Sequence, residues 1–438
     1  MKYANVTGPI PGENSVQYLK QWKEYEADKT GYQAQVVIDH GNGAMLYDVD
    51  GNAFIDWTSG VLVTNVGHCH PKLVKAVQES SAKILNVYEW CNPYRANAAR
   101  DLISVAPKHL NRCFFLSTGS EATDSAVRIM KRASGKYEII SFYGGFHGRT
   151  LSTASLGGLA KVKKKFGPMM PGQLRIPFPY CYRCPFKSCP EKCGMMCLEY
   201  ANDIVQANST GEIAGFIGEP YLGTAGFIIP PKGYWKKLEA WIRELGAYFT
   251  LDEVQSSYGR TGTMWALEQE GITPDIVTVG KGIGSGVSVS ALLMRQEVVD
   301  KAVGKGELGS TYGGNPVSCA AVSAVINILK EEKIIENSQN VIKIFEERLP
   351  KLIEKSPYVG DVRGRGMVWG IELVEDKGSK EPAPKKVHQL IDLCANSGLL
   401  IGSVGMYGNV VRVAPPLVMT EEQAHESLDI MEKCIAQL

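Results

Sequence analysis

The chain has 438 residues, is 44% hydrophobic and 21% charged, and carries a formal net charge of +1. These values describe a globular protein with room for a large core and a second, smaller domain, and they exclude an electrostatic case for nucleic acid or an anionic membrane as partner. The N-terminus lacks the apolar stretch of a secretory signal and no run approaches the roughly 18 apolar residues that span a bilayer, so a cytoplasmic enzyme or binding protein is expected.

In chain order, residues 36–57, VVIDHGNGAMLYDVDGNAFIDW, set Gly-Asn-Gly and Asp-Gly turns between apolar runs and predict antiparallel hairpins. RCFFLSTGSEATDSAVRIMKRASG predicts a strand ending at Leu116 and a helix over about 121–133. Four more short apolar runs end in polar residues: YEIISFYGGFHGRT, IAGFIGEPYLG, AYFTLDEVQSS and DIVTVGKGIG. Helical segments such as YWKKLEAWIRELG separate some of them, which implies an α/β domain with a largely parallel sheet. After about residue 320 come amphipathic helices, AVSAVINILKEE and NVIKIFEERLPKLIEK, and then hairpin-like strands, GMVWGIELVED and NVVRVAPPLVM. The expected layout is a large α/β domain over 61–320, with a cysteine-rich insert at 180–198, and a smaller α+β domain built from 1–60 and 321–438.

Ligands of an open parallel sheet bind beyond the carboxyl ends of its strands. Five runs end in residues that could serve there: Ser117 to Glu121, Tyr143 to Arg149, Glu219, Asp252 to Gln255, and Lys281. Lys281 is not a Walker lysine, because Gly282 follows it, and Val287 breaks a dinucleotide glycine pattern. A strand-end lysine among small residues suits attack of a desolvated amine on a carbonyl, with a solvated loop lysine as the competing reading. Asp252, one strand-and-crossover unit earlier, adds the second group that pyridoxal phosphate needs, an acid to keep its ring nitrogen protonated. A helix N-cap is the plainer role for Asp252, and Glu253 must face the other way if the strand continues. Gly119 and Ser120 stand where a helix begins and can bind an anion, while Thr118 and Glu121 have capping-box spacing. Tyr143, Phe146 and His147 offer ring faces, and Arg149 a carboxylate clamp.

Cysteines cluster at Cys181, Cys184, Cys189, Cys193 and Cys197. That density suits a zinc or iron–sulfur site, yet the spacing matches no common metal signature, and a set of reduced structural thiols is the reading preferred over a bound metal.

Taken together, STGSEA, GGFHGRT, GEPYLGTAGFIIPPKGY, DEVQSSYGRTG, TVGKGIG, GSTYGGNPVSCAA and VRVAPPL closely resemble the class III aminotransferases, and most of all their 4-aminobutyrate group. The resemblance covers nearly the whole chain. It implies the fold type I pyridoxal-phosphate architecture, a large domain with a mainly parallel sheet plus a smaller α+β domain from both termini. It further implies that Lys281 forms the cofactor's Schiff base and moves the proton, and that Asp252 pairs with the ring nitrogen. Gly119 and Ser120 would hold the phosphate, Phe146 and His147 cover the ring, Val254 and Gln255 flank it, and Glu219 completes the set. Thr311 would reach the phosphate of a neighbouring subunit's cofactor, which makes a homodimer the expected partner arrangement. Arg149 would hold a substrate's distal carboxylate and Arg412 its α-carboxylate, with Val61 in the pocket wall. The implied reaction is ping-pong transfer of an amino group from an ω-amino acid to a 2-oxo acid; a racemase of the same fold is the alternative. One departure stands out: the 4-aminobutyrate enzymes usually carry a second Glu in E-P-x-x-G-E-G-G, and here Thr224 takes that place, leaving Arg412 without its gate partner. The cysteine insert is a second departure, although some 4-aminobutyrate aminotransferases carry an iron–sulfur cluster.

Overall fold

The computed structural model describes residues 2–27, 31–188 and 192–438. Cys189 therefore lies outside the described residues. The chain forms two compact units, one from residues up to 71 together with 332–438, the other from 72–331. The expected divisions at 60/61 and 320/321 each fall 11 residues short of these. Hydrogen bonding explains the first shift: His68 N donates to Gly43 O at 2.8 Å and Leu417 N to Asn65 O at 3.0 Å, which ties 61–71 to the smaller unit. The second follows from packing, because helix Pro316–Glu331 lies along helix Pro93–Val105 of the larger unit.

The larger unit is built on strands β1 (Arg112–Leu116), β2 (Glu138–Phe142), β3 (Gln173–Ile176), β4 (Ile213–Gly218), β5 (Tyr248–Asp252), β6 (Ile276–Val279) and β7 (Ser290–Met294). They form one seven-stranded sheet in the order β1-β7-β6-β5-β4-β2-β3. β7 runs antiparallel to both β1 and β6, and the other pairs are parallel. The carboxyl ends of β1 to β6 consequently share one edge. β2, β4, β6 and β7 are buried along their whole length, as expected when helices cover both faces of a parallel sheet. That burial is why these strands read as unbroken apolar runs. The expected runs omit β7 and β3, the latter alternating half-buried Gln173 and Arg175 with buried Leu174 and Ile176.

Helix Gly119–Ser134 crosses the sheet with Ala122, Ala126, Ile129 and Met130 buried against Ile217, Ile276 and Leu292. It starts two residues before the expected 121, because Thr118 is the N-cap and Glu121 the third helical residue. The smaller unit holds two four-stranded sheets. One joins the expected N-terminal hairpins, Ile38–Asn42, Met45–Asp48 and Ala53–Asp56, to Leu399–Leu400 in parallel. The other pairs Val359–Arg365, Val368–Leu373, Val410–Val413 and Gly402–Val404 antiparallel. Helices Ile334–Arg348, Pro384–Asn396 and Glu421–Ile435 bury one face each in this unit.

Gly215 in β4 marks the tightest approach of helix and sheet. A Cβ there would overlap Met130 Sδ and stand 2.9 Å from Tyr248 O, so neither neighbour leaves room. Gly215→Ala is expected to destabilise the protein by about 1–3 kcal/mol through overpacking, read as a lower melting temperature. An unchanged melting temperature would mean that Met130 moves aside freely.

Candidate active site

β1, β2, β4, β5 and β6 each deliver a side chain or a loop to the shared edge, and a cleft of about 320 Å³ opens there. Gly119, Ser120, Phe146, His147, Arg149, Glu219, Asp252, Val254, Gln255 and Lys281 all line it. Thr311 does not: it is exposed on the loop before helix Pro316–Glu331, its carbonyl accepting from Asn86 Nδ2 at 2.9 Å. Val61 and Arg412 belong to the smaller unit.

Asp252 ends β5 and is 5% exposed. Its Oδ1 accepts from Thr278 Oγ1 at 3.0 Å and from Val254 N at 3.1 Å; its Oδ2 is 2.7 Å from His147 Nδ1. The bond to Val254 N is a local turn closure, so the plain role and the functional one coincide. Glu253 faces the opposite side, as expected, where it accepts from Ala266 N at 2.9 Å and Leu267 N at 2.8 Å. Thr278 is a site residue that the sequence reading missed; the signal available was a lone polar residue inside the apolar strand IVTV.

His147 is buried at the end of the β2 loop. Burial opposes charge on its ring, but the hydrogen bond and charge of Asp252, with Glu219 nearby, outweigh it and raise its pKa. Its Nε2 is buried without a partner. Glu219, one residue past β4, accepts from Phe146 N at 2.9 Å and Gly223 N at 3.2 Å. Burial pushes the Glu219 carboxyl up to about 7; His147 and the two N–H groups pull against that, and Asp252 adds to it.

Lys281 opens a short turn, Lys281–Ile283, two residues past β6 and is half-buried. Its φ of 47° lies in the left-handed region, uncommon for a residue with a Cβ and often found where function holds the backbone in place. Val254 fills the space between two loops: a Cβ on Gly119 would come within 3.0 Å of its Cγ1, and one on Gly280 within 3.2 Å. A Cβ on Gly223 would overlap the Gln255 amide, whose Oε1 is buried without a partner. These glycines let the Val254 and Gln255 side chains lie flat along the cleft.

The start of helix Gly119–Ser134 carries the full capping box. Thr118 Oγ1 accepts from Glu121 N at 3.2 Å, and Glu121 Oε2 accepts from Ser117 N at 2.8 Å and Thr118 N at 3.0 Å. The cap does not use the N–H groups of Gly119 and Ser120, which remain at the positive end of the helix dipole for an anion. The Arg149 guanidinium lies 6.0 Å from the centre of the Phe146 ring at the cleft. The residues present therefore fit pyridoxal phosphate: unclaimed N–H groups at a helix start, a buried carboxylate, an amine, and two buried atoms, His147 Nε2 and Gln255 Oε1, without protein partners.

In the smaller unit, Ser59, Gly60, Val61 and Leu62 form a turn with every φ between 48° and 69°. Asp56 pins its start, accepting from Thr58 N at 2.6 Å and Ser59 N at 3.0 Å, with His68 Nε2 at 2.8 Å. Arg412 of strand Val410–Val413 lies across Gly402, where a Cβ would crowd its guanidinium. Burial lowers the Arg412 pKa, and the charge of Asp56 opposes that. Thr224 occupies a half-buried turn after Gly223. Four of the clustered cysteines, Cys181, Cys184, Cys193 and Cys197, line a separate small cavity. No group of three or more His, Cys, Asp or Glu among the described residues is placed to hold a metal ion. No helix among them is long and apolar enough to cross a membrane.

Residues 27–435 match the family model described as aminotransferase class-III. A probable 4-aminobutyrate aminotransferase of Bacillus subtilis is 36% identical, covering 90% of this chain and 91% of its own. An alanine/serine racemase of Pyrococcus horikoshii is 32% identical, covering 99% of this chain and 93% of its own. Among solved structures, the PLP-bound form of an amine transaminase from an uncultivated Pseudomonas species superposes with a TM-score of 0.87 at 28% identity, covering 94% of this chain and 97% of that one.

Glu219 supplies a pH test of the cleft. In the folded protein its carboxyl releases a proton near pH 7, against 4.5 for an ordinary glutamate. Between those values the fold holds a proton that the unfolded chain has lost, so this residue makes stability fall as pH rises, by on the order of 3 kcal/mol in all. In Glu219→Gln the melting temperature is lower throughout, because an amide N–H₂ faces one of the two N–H donors. Its decline between about pH 5 and 7 is shallower than in the wild type, with Glu253, also raised to about 7 by burial, supplying part of what remains. Equal slopes in the two proteins would contradict the assignment.

Proposed function

The chain belongs to the class III aminotransferases, and from that premise we propose that it transfers the amino group of an ω-amino acid, of the 4-aminobutyrate or β-alanine kind, to a 2-oxo acid. The observation that supports this substrate class is Arg149, which lines the same cleft as Lys281 and Asp252. A guanidinium there can hold a distal carboxylate bidentately while the amine at the other end of the donor reaches Lys281.

Pyridoxal phosphate is the cofactor, and when bound it supplies an aldehyde for the donor's amine and a ring that draws electrons from the reacting carbon. The N–H groups of Gly119 and Ser120 would hold its phosphate at the helix start. Phe146, Val254 and Gln255 line the cleft and would cover and flank the ring. Asp252, fixed through both oxygens by Thr278, Val254 N and His147, would accept from the ring N–H. Lys281 Nζ takes the proton from the carbon that bears the donor's amine. Glu219 holds the backbone of Phe146 and Gly223 in place, and with it the floor under Gln255.

Arg412 binds the α-carboxylate of the amino or keto acid and Val61 forms part of the pocket wall. With Thr224 in place of the usual second glutamate, Arg412 has no switch partner there, which favours pyruvate alongside 2-oxoglutarate as acceptor. Thr311, exposed on its loop, reaches the phosphate held by a second copy in a homodimer, and the enzyme works in the cytosol.

A panel of amino donors against pyruvate and 2-oxoglutarate tests the proposal. Donor alone should convert the bound cofactor to its amine form, and Lys281→Ala should lower turnover at least ~10³-fold. Arg149→Ala should raise KM for ω-amino carboxylates by about 10–100-fold, the worth of a charge-assisted pair, and leave donors without a distal carboxylate largely unaffected. Racemisation of an amino acid without any keto acid, combined with no amino transfer, would replace this reading with that of the racemase relative.

A further inference from the structure

The proposed work of Arg149 depends on where its guanidinium is aimed. Among the described residues that guanidinium makes no hydrogen bond or ion pair, and it lies 6.0 Å from the centre of the Phe146 ring. Its aim is therefore set by the backbone that carries it, and that backbone is held on both sides. Before it, Gly145 O accepts from Gly158 N at 2.8 Å and Phe146 N donates to Glu219 Oε1 at 2.9 Å. His147, buried, places its Nδ1 2.7 Å from Asp252 Oδ2. After it, Thr150 is the N-cap of helix Leu151–Leu156, its carbonyl accepting from Ala154 N at 2.7 Å, and Thr153 to Leu156 are all buried. Gly148 and Arg149 alone bridge the two anchors.

Gly148 crosses that gap at a φ of 138°, in the positive range that residues with a Cβ avoid. It also rests on a floor. A Cβ there would overlap Ser120 Oγ and stand 2.5 Å from Thr153 Oγ1 and 3.0 Å from Ser120 Cβ. Neither hydroxyl can simply step aside. Thr153 is fully buried, and its Oγ1 donates to Thr150 O at 3.2 Å and meets Thr150 Oγ1 at 2.9 Å. Ser120 is the second residue of helix Gly119–Ser134, whose N–H the cap leaves for an anion. Gly148 thus sits on one hydroxyl from the anion cup and one from the helix that follows Arg149.

We propose that Gly148, seated on the Ser120 and Thr153 hydroxyls, is the positioning residue that aims Arg149 and joins the distal-carboxylate clamp to the phosphate cup. The inference rests on the reading that Arg149 holds the donor's distal carboxylate. His147 is locked on the buried Asp252, so a displacement at 148 passes outward to Arg149 and downward to Ser120. A misplacement of about 1 Å at a group that orients substrate can lower the rate by about 100-fold. Donor selectivity and cofactor affinity consequently change together when the seat is disturbed, although neither Gly148 nor Thr153 carries a charge. Thr153 acts on both only through Gly148.

The test compares KM for 4-aminobutyrate with KM for alanine, which has no distal carboxylate, and measures pyridoxal-phosphate binding to the apoenzyme by absorbance titration. Gly148→Ala is expected to raise the 4-aminobutyrate KM about 10-fold more than the alanine KM, and to weaken cofactor binding by a similar factor. Thr153→Val exchanges the hydroxyl for a bulkier methyl and should move both quantities the same way by less. Thr153→Ser keeps the hydroxyl and should return both to wild-type values. If Gly148→Ala does not fold, the two Thr153 variants decide. Arg149→Ala separates the clamp from its seat. If it leaves the ratio of the two KM values unchanged, the distal-carboxylate reading fails and this assignment with it. If it abolishes the discrimination while Gly148→Ala and Thr153→Val retain it, the clamp stands and the seat is wrong. A changed ratio with wild-type cofactor affinity, or equal rises in KM for both donors, would also overturn the assignment.

Discussion

A carboxylate buried in a sheet must find donors for its lone pairs, and the large unit is organised around that requirement at Asp252. Its donors come from three places far apart in sequence: His147 beyond β2, Thr278 within β6, and the backbone just past β5. Meeting them requires the carboxyl ends of these strands to lie on one edge and in fixed register. The pairing Asp252↔Thr278 across β5 and β6 places the threonine hydroxyl beside the carboxylate. His147 has to be delivered by a loop that turns sharply, and Gly148 permits that turn with a φ of 138°. Glu219 then fixes the same loop from beneath by accepting from Phe146 N. An apolar replacement for Asp252 would remove the reason for each of these contacts.

The same edge shows how space and charge are divided. Glycines at 119, 223 and 280 are where Val254 and Gln255 lie close to backbone, so two side chains of ordinary size can line a cleft meant for a flat molecule. The cap of helix Gly119–Ser134 consumes the N–H groups of Ser117, Thr118 and Glu121 and leaves those of the first two helical residues. Capping and anion binding are thus complementary uses of one helix start, not rivals.

Much of this was legible in the sequence because parallel strands buried on both faces make unbroken apolar runs with abrupt ends. Glu219, Asp252 and Lys281 each stand at or just past such an end, and all three line the cleft. Thr278 was not legible, since its role depends on its cross-strand partner and not on its neighbours in sequence. The left-handed φ of Lys281 leaves no mark on composition either. The division at 71/72 depends on long-range pairs, Gly43 with His68 and Asn65 with Leu417, and that at 331/332 on the packing of helix Pro316–Glu331 along helix Pro93–Val105, neither of which local pattern reveals. The cysteines were visible as a cluster, and the four of them that are described line one cavity.

The smaller unit repeats the device of the larger one with different residues. Asp56 is fully buried and, like Asp252, has a histidine at hydrogen-bond distance, His68 Nε2 at 2.8 Å. Its oxygens also accept from Thr58 Oγ1 at 2.7 Å and from the backbone of Thr58 and Ser59. These bonds hold the left-handed turn at Ser59–Leu62, where residues with a Cβ each cost about 1–2 kcal/mol. The cost is greatest for Val61, whose branched side chain is 47% exposed at the tip of that turn. The charge of Asp56 meanwhile acts on Arg412, whose Nε is buried without a partner. One buried carboxylate therefore sets both the turn that presents Val61 and the charge balance of the arginine. In each unit, the candidate binding groups are positioned by an aspartate–histidine pair that need not touch a substrate to decide where it is held.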